Sequence, residues 1–340
     1  MANPAAGRGR TAKRLVELEK ILAQRPSLNA VVRVTEYPGE SVVIARTAVE
    51  KGARIVAAMG GDGTVSEVAT GLMGSETALA LLPTGTGNDF ARSLGIPLAL
   101  EAAVKLLSSG RIAPVDVGLA TFTPRGGTPV PEANPNLVEP TTTIERRRAN
   151  DAEKARELRL PPNQRFFVNV AGCGFDAVVA ERANRGIGPL RGTAVYLGAV
   201  LATLHRHRPA DFRIKAEGKL YKFRAMLCSV ANSQTYGGGM RIAPTAVLDD
   251  GKLDVVVVRE TGRFEFLTAF PRVFGGSHLS HPKVLTFRGS RIQIESSPPM
   301  PVLLDGDVVG QTPVRFDVRP QALRVVVPPG PNPVLSKPTV

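Results

Sequence analysis

The sequence has no tryptophan, two cysteines, four histidines and 5% aromatic residues in 340 positions. Each shortage removes a class of function. The cysteines, Cys173 and Cys228, sit in apolar settings. They exclude a disulfide scaffold and read as buried, inert thiols in a reducing compartment. Scarce aromatics leave few platforms for stacking bases, so nucleic acid is not an expected partner despite a net charge of +13. His205 and His207 stand two apart with no carboxylate or cysteine near them, and read as surface residues and not zinc ligands. No apolar run reaches the roughly 18 residues of a spanning helix. The opening "MANPAAGRGR" lacks the apolar centre of a signal peptide. The reading is a cytoplasmic protein. With 43% hydrophobic residues the chain fills two domains. Its basic surplus points to a membrane surface or phosphate, unless it reflects arginine usage alone.

Up to residue 115 helical and extended periods alternate. "TAKRLVELEKIL" sets Leu15, Leu18 and Leu22 on one helical face, and "SVVIARTAVEKG" is a second helix closed by Gly52. "LNAVVRVTEY", "ARIVAAM" and "ALALLP" read as strands, "VSEVATGL" and "NDFARSLGIP" as helices. This predicts an α/β domain over 1–115 with a parallel sheet. A first strand should precede "NPAAG", yet only Met1 and Ala2 stand there. Either the start lies upstream or the sheet lacks a strand. Residues 121–162 turn to proline, threonine and dense charge, an exposed insertion in which Arg146–Arg148 offers a membrane or partner contact. From Arg165 short strands dominate, interrupted by helical "GTAVYLGAVLATLHRH" and "RFEFLTAFPRVFGG". They predict a mainly antiparallel sandwich or barrel over 116–327. Residues 328–340 read as a frayed tail.

The chemistry concentrates in glycine turns. In "MGGDGTVSEVATGL", Gly60, Gly61 and Gly63 let the backbone turn and approach a ligand without a Cβ in the way. Thr64 and Glu67 have capping-box spacing for the helix that follows. Free N–H groups at a helix N-terminus, on the carboxyl end of a strand, make a phosphate site. Asp62 there is a metal ligand, directly or through water, or a base for a hydroxyl. A tight strand–helix turn with a capping acid is the plainer alternative, but it accounts for one glycine and not three. "LLPTGTGNDF" repeats the pattern: Gly85 and Gly87 flank Thr86, and Asn88 and Asp89 open the next helix. "NPAAGRG" adds a third such turn. Neither a P-loop nor a dinucleotide fingerprint occurs. The ligand is a phosphorylated nucleotide in a different set of loops.

In order, "NPAAG", "GGDGTVSEVATGL", "LPTGTGNDFARSLGIP", "VNVAGCGFDA", "GGGMRIAPTAVLDDGKLDVVVV" and "LLDGD" closely resemble the diacylglycerol kinase catalytic-domain family. These are soluble bacterial lipid kinases related to sphingosine kinases. The resemblance covers nearly the whole chain outside 121–162 and the tail, although "GGDGT" alone is shared with NAD kinases and phosphofructokinases. It implies an N-terminal nucleotide domain of the NAD kinase/phosphofructokinase type, a C-terminal β-sandwich domain for the lipid, and catalysis in the cleft between them. It implies that ATP meets Asn3, Pro4, Ala5, Ala6, Gly7, Thr35, Gly61, Asp62, Gly63, Thr64, Glu67 and Thr86, with Gly60, Gly87, Asn88 and Asp89 in the same turns. It implies a structural Mg²⁺ at "VLDDGK", held by the Asp250 carboxylate and the carbonyls of Val247 and Lys252; hard oxygens suit that ion. Without the resemblance, "LDDGK" reads as a solvated hairpin turn.

"LLDGD" departs from the family's D-G-E: Asp307 stands where a proton-accepting glutamate is expected. A misplacement near 1 Å costs on the order of 10²-fold. Either Asp307 acts on an adjusted backbone, or Asp305 shares the task, or activity is reduced. "DGD" is also a good hairpin turn. The implied reaction moves the γ-phosphate of Mg·ATP to a lipid hydroxyl, with Asp62 and Asp307 as candidate bases and diacylglycerol as the default acceptor. The implied partners are ATP, a membrane lipid and the anionic inner face of the membrane, where each basic residue contributes about 1 kcal/mol. Arg182, Arg185, Arg191 and the "LHRHR" segment are candidates for that face. Val195, Tyr196, Ala199, Val200 and Thr203 line a lipid entrance or lie in the core. A homodimer is common among related enzymes; the oligomeric state stays open here. The alternatives are a kinase for a soluble acceptor, as in NAD kinase, and a nucleotide-binding protein with weakened catalysis.

Overall fold

Six-residue apolar runs bounded by glycine or proline make the first two strands of the computed structural model, which describes residues 1–125, 160–185 and 193–336. After helices α1 (Arg10–Ala23) and α2 (Glu40–Glu50) come β1 (Ile55–Gly60), α3 (Asp62–Leu72), β2 (Ala78–Pro83), α4 (Asp89–Ser93) and α5 (Leu100–Ser109). β1 and β2 pair in parallel, Ala58 opposite Leu81. Every residue of β2 is buried, which explains its unbroken apolar run. Beside β1 lies the chain start. The Met59 N–H reaches the Met1 carbonyl at 2.9 Å, and Ala2 bridges both Met59 and Val34. Met1–Asn3 thus occupy the place where a first strand was missing. The strand expected in "LNAVVRVTEY" is not regular: only Val34 forms a bridge, and Val31 is 73% exposed. With one face bare, its β-branched residues gain little from pairing.

The remaining strands are mainly antiparallel. β3 (Arg111–Thr123), β4 (Gln164–Phe167) and β5 (Val170–Gly174) lead into α6 (Phe175–Arg185) and α7 (Thr193–Leu204). Then follow β6 (Ala210–Ala216), β7 (Lys219–Ala231), β8 (Leu253–Arg259), α8 (Arg263–Ala269), α9 (Arg272–Gly275), β9 (Val284–Gly289), β10 (Arg291–Ser297), β11 (Pro301–Leu304) and β12 (Asp307–Val327). β12 joins "VRFDVRP" and "ALRVVVPP" into one strand of 21 residues. Its first part pairs with β11, its middle with β10 and its last part with β2, and β3 runs along most of its length. The path β12–β10–β6–β7–β5–β11 therefore closes on itself, so the expected sandwich is one connected sheet. Bulges between Gln311 and Val314 and between Arg319 and Leu323 let a single strand serve all of these neighbours. The expected boundary at 115/116 lies inside β3.

Arg146–Arg148, Arg191 and most of the 121–162 insertion lie outside the described residues, as do the side chains of Arg185, Val195 and Tyr196.

Candidate active site

Three turns converge at the carboxyl ends of β1 and β2. Residues 3–7, 60–64 and 84–88 are stitched together by Thr84 N–H to the Gly60 carbonyl (2.9 Å), Asn3 Nδ2 to Thr64 Oγ1 (3.2 Å) and Thr11 Oγ1 to Thr84 Oγ1 (2.6 Å). The glycines serve close approach more than unusual torsion. A Cβ on Gly85 would lie 2.4 Å from the Gly61 Cα, so the two turns pack backbone on backbone. The capping box does not form: α3 begins at Asp62 behind an extended Gly61, two residues before Thr64, whose hydroxyl instead accepts from Asn3. The N–H groups of the first turn of α3 remain available to an anion, beside the exposed Gly63. Arg10 brings a cation: its Nη2 donates to Thr86 Oγ1 at 3.0 Å. Buried Thr35 is tied to Ala2 through its N–H, one strand away from the turns. Glu67 lies further along α3, half-buried.

Carboxylates gather where these turns meet the β-rich region. Asp62 Oδ1 accepts from the Phe90 N–H at 3.1 Å and faces Asn169 Nδ2 at 3.5 Å. Its Oδ2 lies beside Gly87, where a Cβ would stand 2.9 Å from both Asp62 and Asp89. Burial raises the Asp62 carboxyl above its usual range despite these donors. Asp89, 5% exposed, accepts the N–H groups of Gly238 (2.9 Å) and Gly239 (2.8 Å). Burial, then the charge of Asp62, pushes it up to about 6. Asp305 accepts the Val168 and Asn169 N–H groups, one per oxygen, both at 2.8 Å. Burial raises it to about 6 as well. Those two N–H groups sit at the break between β4 and β5, which is why "RFFVNVAG" forms two strands. Asp176 is also raised to about 6 by burial, and accepts from Ser229 Oγ at 3.0 Å.

From these acids an apolar cavity of about 200 Å³ runs into the β-rich region. Asp62, Thr86, Gly87, Asp89, Asn169 and Asp305 line one part; Phe175, Val179, Val200, Leu227, Met240 and Phe266 line the walls. It can hold an aliphatic body with a polar group among the carboxylates.

Asp307 lies elsewhere. It begins β12 after a two-residue turn in which Asp305 (φ 47°) and Gly306 (φ 100°) both have positive φ. Its side chain, 54% exposed, is ion-paired with Arg165 at 2.8 Å and is not part of the cavity lining. The Asp250 carboxylate is engaged by Arg288 and by the Lys252 N–H. Among the described residues no cluster of three or more acids, histidines or cysteines is placed to hold a metal. Arg182 is half-buried, with Nη1 3.5 Å from Thr203 Oγ1. His205 is exposed as expected, while His207 is half-buried: it packs edge-on against Phe175 and bonds the Met226 carbonyl. Cys173 and Cys228 are free and buried on adjacent strands. The sequence reading missed Arg10, Asn169, Asp176 and the Gly238–Gly239 turn. The last three stand in motifs already quoted, "VNVAGCGFDA" and "GGGM".

Three glycine turns thus face an acid-tipped apolar cavity. Residues 1–120 match the diacylglycerol kinase catalytic domain, and residues 169–327 match the YegS C-terminal NAD kinase beta sandwich-like domain. A diacylglycerol kinase of Mycobacterium tuberculosis is 31% identical over 96% of this chain and 94% of its own length. One of Bacillus subtilis is 25% identical over 96% and 94%. A YegS-like lipid kinase of Pseudomonas putida is 28% identical over 90% and 88%. A diacylglycerol kinase structure from Bacillus anthracis, 22% identical, superposes with a TM-score of 0.64 over 96% of this chain and 95% of that one, which establishes the shared fold. The chain belongs to the diacylglycerol kinase and YegS-like lipid kinase family.

Proposed function

We propose that this protein transfers the γ-phosphate of Mg·ATP to the hydroxyl of a membrane lipid, with diacylglycerol as the first acceptor to test. The observation that carries this is the apolar cavity ending at Asp62, Asp89 and Asp305, next to the glycine turns. We read residues 1–115 as a nucleotide domain of the NAD kinase/phosphofructokinase type and 116–327 as the lipid-binding region, in a protein of the cytoplasm that works at the inner membrane face. The phosphates lie over the first turn of α3, where free N–H groups and the Arg10 guanidinium offset their charge. Asp62 and Asp89 would hold the Mg²⁺ of Mg·ATP, which would supply charge neutralisation for the transferring phosphoryl group. The donor set suits it, since Asp62 and Asp89 crowd around Gly87 and both hold their protons more tightly than free aspartates.

Asp62 is the proton acceptor in this reading. Its Oδ1 is held by Phe90 and Asn169, which fixes the carboxylate at the cavity, and burial raises its pKa toward that of a useful base. Asp305 spends both oxygens on backbone N–H groups and positions Asn169. Asp307 joins the reaction only by releasing Arg165. The test is transfer of labelled phosphate into a panel of diacylglycerol, phosphatidylglycerol, sphingosine and ceramide. Asp62→Asn should lower the rate about 10²–10⁴-fold, and Asp307→Ala much less. No labelled lipid from the wild type, but label in a soluble acceptor, would sink the lipid assignment. An unchanged rate in Asp62→Asn would remove Asp62 as the base.

A further inference from the structure

Short helices usually have one apolar side. α8 and α9 have two. Inward, Phe266, Phe270 and Val273 line the cavity. Outward, Phe264 is 81% exposed, Phe274 43% and Leu267 38%. Scattered single apolar residues on a surface need no explanation, but three within Arg263–Gly275, two of them phenylalanines, are more than scatter. Apolar side chains on both sides of a surface helix imply a second apolar environment.

The two sides are joined by an aromatic ladder. Phe175 in the cavity wall meets Phe266 at a ring-centre distance of 5.0 Å, Phe266 meets Phe270 at 6.0 Å, and Phe270 meets the exposed Phe274 at 6.1 Å. The charges around the strap that have no ion-pair partner among the described residues are of one sign. Arg259, Arg263 and Arg272 are exposed and have no acidic partner among the described residues. The nearby acids are engaged: Glu265 pairs with Lys283 at 2.7 Å, and Glu260 with Arg224 at 3.1 Å. A protein partner would have to offer an apolar surface and its own acids together. A bilayer with acidic headgroups offers both everywhere.

We infer that the α8–α9 strap docks on an anionic lipid bilayer, inserting Phe264, Leu267 and Phe274 among the acyl chains while Arg263 and Arg272 meet acidic headgroups. A lipid leaving the bilayer then enters the cavity along the Phe274–Phe270–Phe266 ladder. The strap adjoins the face expected at Arg182 and the "LHRHR" segment, since Phe175 meets both Phe266 and His207. It rests on the lipid-kinase reading for its purpose, though its measurement does not.

The test uses sedimentation with phosphatidylcholine vesicles, with and without phosphatidylglycerol. Two double variants are compared with the wild type: Phe264→Ser with Phe274→Ser, and Arg263→Glu with Arg272→Glu. The wild type should sediment with the anionic vesicles, and each variant should bind at least about tenfold more weakly. Phosphorylation of a short-chain diacylglycerol dissolved as monomers should be unchanged in the Arg263→Glu with Arg272→Glu variant, since neither arginine lines the cavity or stands on the ladder. The inference is overturned if the wild type ignores anionic vesicles, or if both variants bind within twofold of it. It is also overturned if the variants lose self-association and keep vesicle binding, which would give the strap to a second copy of the chain. Failure to phosphorylate any lipid would remove the kinase reading, while sedimentation would still decide the docking surface.

Discussion

Asp176 shows how a single buried acid records the needs of a site. It sits among apolar walls with one hydroxyl donor, Ser229, and burial raises its carboxyl to about 6 from an ordinary 3.8. The sign follows from proton binding. Between about pH 4 and 6 the folded chain holds a proton that the unfolded chain has released, so stability falls as pH rises through that window. Above pH 6 the full penalty remains, on the order of 3 kcal/mol for a shift of this size. Asp176→Asn should therefore stabilise the protein by about 1–3 kcal/mol at pH 7 and by little near pH 4. Urea unfolding at both pH values measures this, and equal stability of the two proteins at pH 7 would show that the acid costs the fold nothing. Residues at this scale were legible only where they sat in short motifs. Asp62 and Asp89 lie 27 positions apart in two glycine turns that the eye can pair. The bonds from Asp305 to Val168 and Asn169 span more than 130 positions, and nothing local announces them.

At the scale of elements, α4 is bolted across the cleft. Besides the Asp89 clasp on Gly238 and Gly239, Ser93 Oγ meets Thr235 Oγ1 at 2.9 Å and Thr235 Oγ1 bonds the Asp89 carbonyl at 3.0 Å. Gly238 and Gly239 have φ of 87° and 108°, conformations held by the carboxylate that gathers their N–H groups. Asp89→Ala removes two charge-assisted bonds and should speed hydrogen exchange at those two amides roughly ten- to hundredfold. Amides of β7 and β8 should be unaffected. Uniform acceleration throughout the protein would mean that Asp89 serves global stability instead of a local clasp. Elements also differ in how openly the sequence states them. β6 alternates buried and exposed residues without a break, and its strand was legible. β3 was not, because Pro114 and Gly118 interrupt its pattern; a Cβ on Gly118 would strike the Phe167 ring, so the residue that weakens the strand signal is the one its packing requires. α6 hides a helical face of Phe175, Val179 and Ala183 directly behind a glycine-rich strand.

At the scale of the molecule, the two regions share a strand pair in place of a linker. Leu323, Val325 and Val327 at the end of β12 lie in the same core as β1, β2 and α5, while Val314 and Phe316 earlier in the strand lie in the core of the closed β path. β3 follows the same route, from Ala113, Val115 and Val117 in the first core to Ala120 and Phe122 in the second. A boundary drawn by composition near residue 115 cannot see this, since both cores are filled with the same β-branched residues. The physical consequence is coupling: neither core can open without unpairing a strand that completes the other. The chain should therefore unfold in one cooperative transition, with calorimetric and van 't Hoff enthalpies equal. A chain ending at Arg319 loses Leu323, Val325 and Val327 from the first core and leaves β2 without its β12 neighbour, so it should fail to fold in its N-terminal region as well. Two separate calorimetric transitions in the full chain, or a folded first region in the truncated one, would mean that the shared strands join the two cores without coupling them.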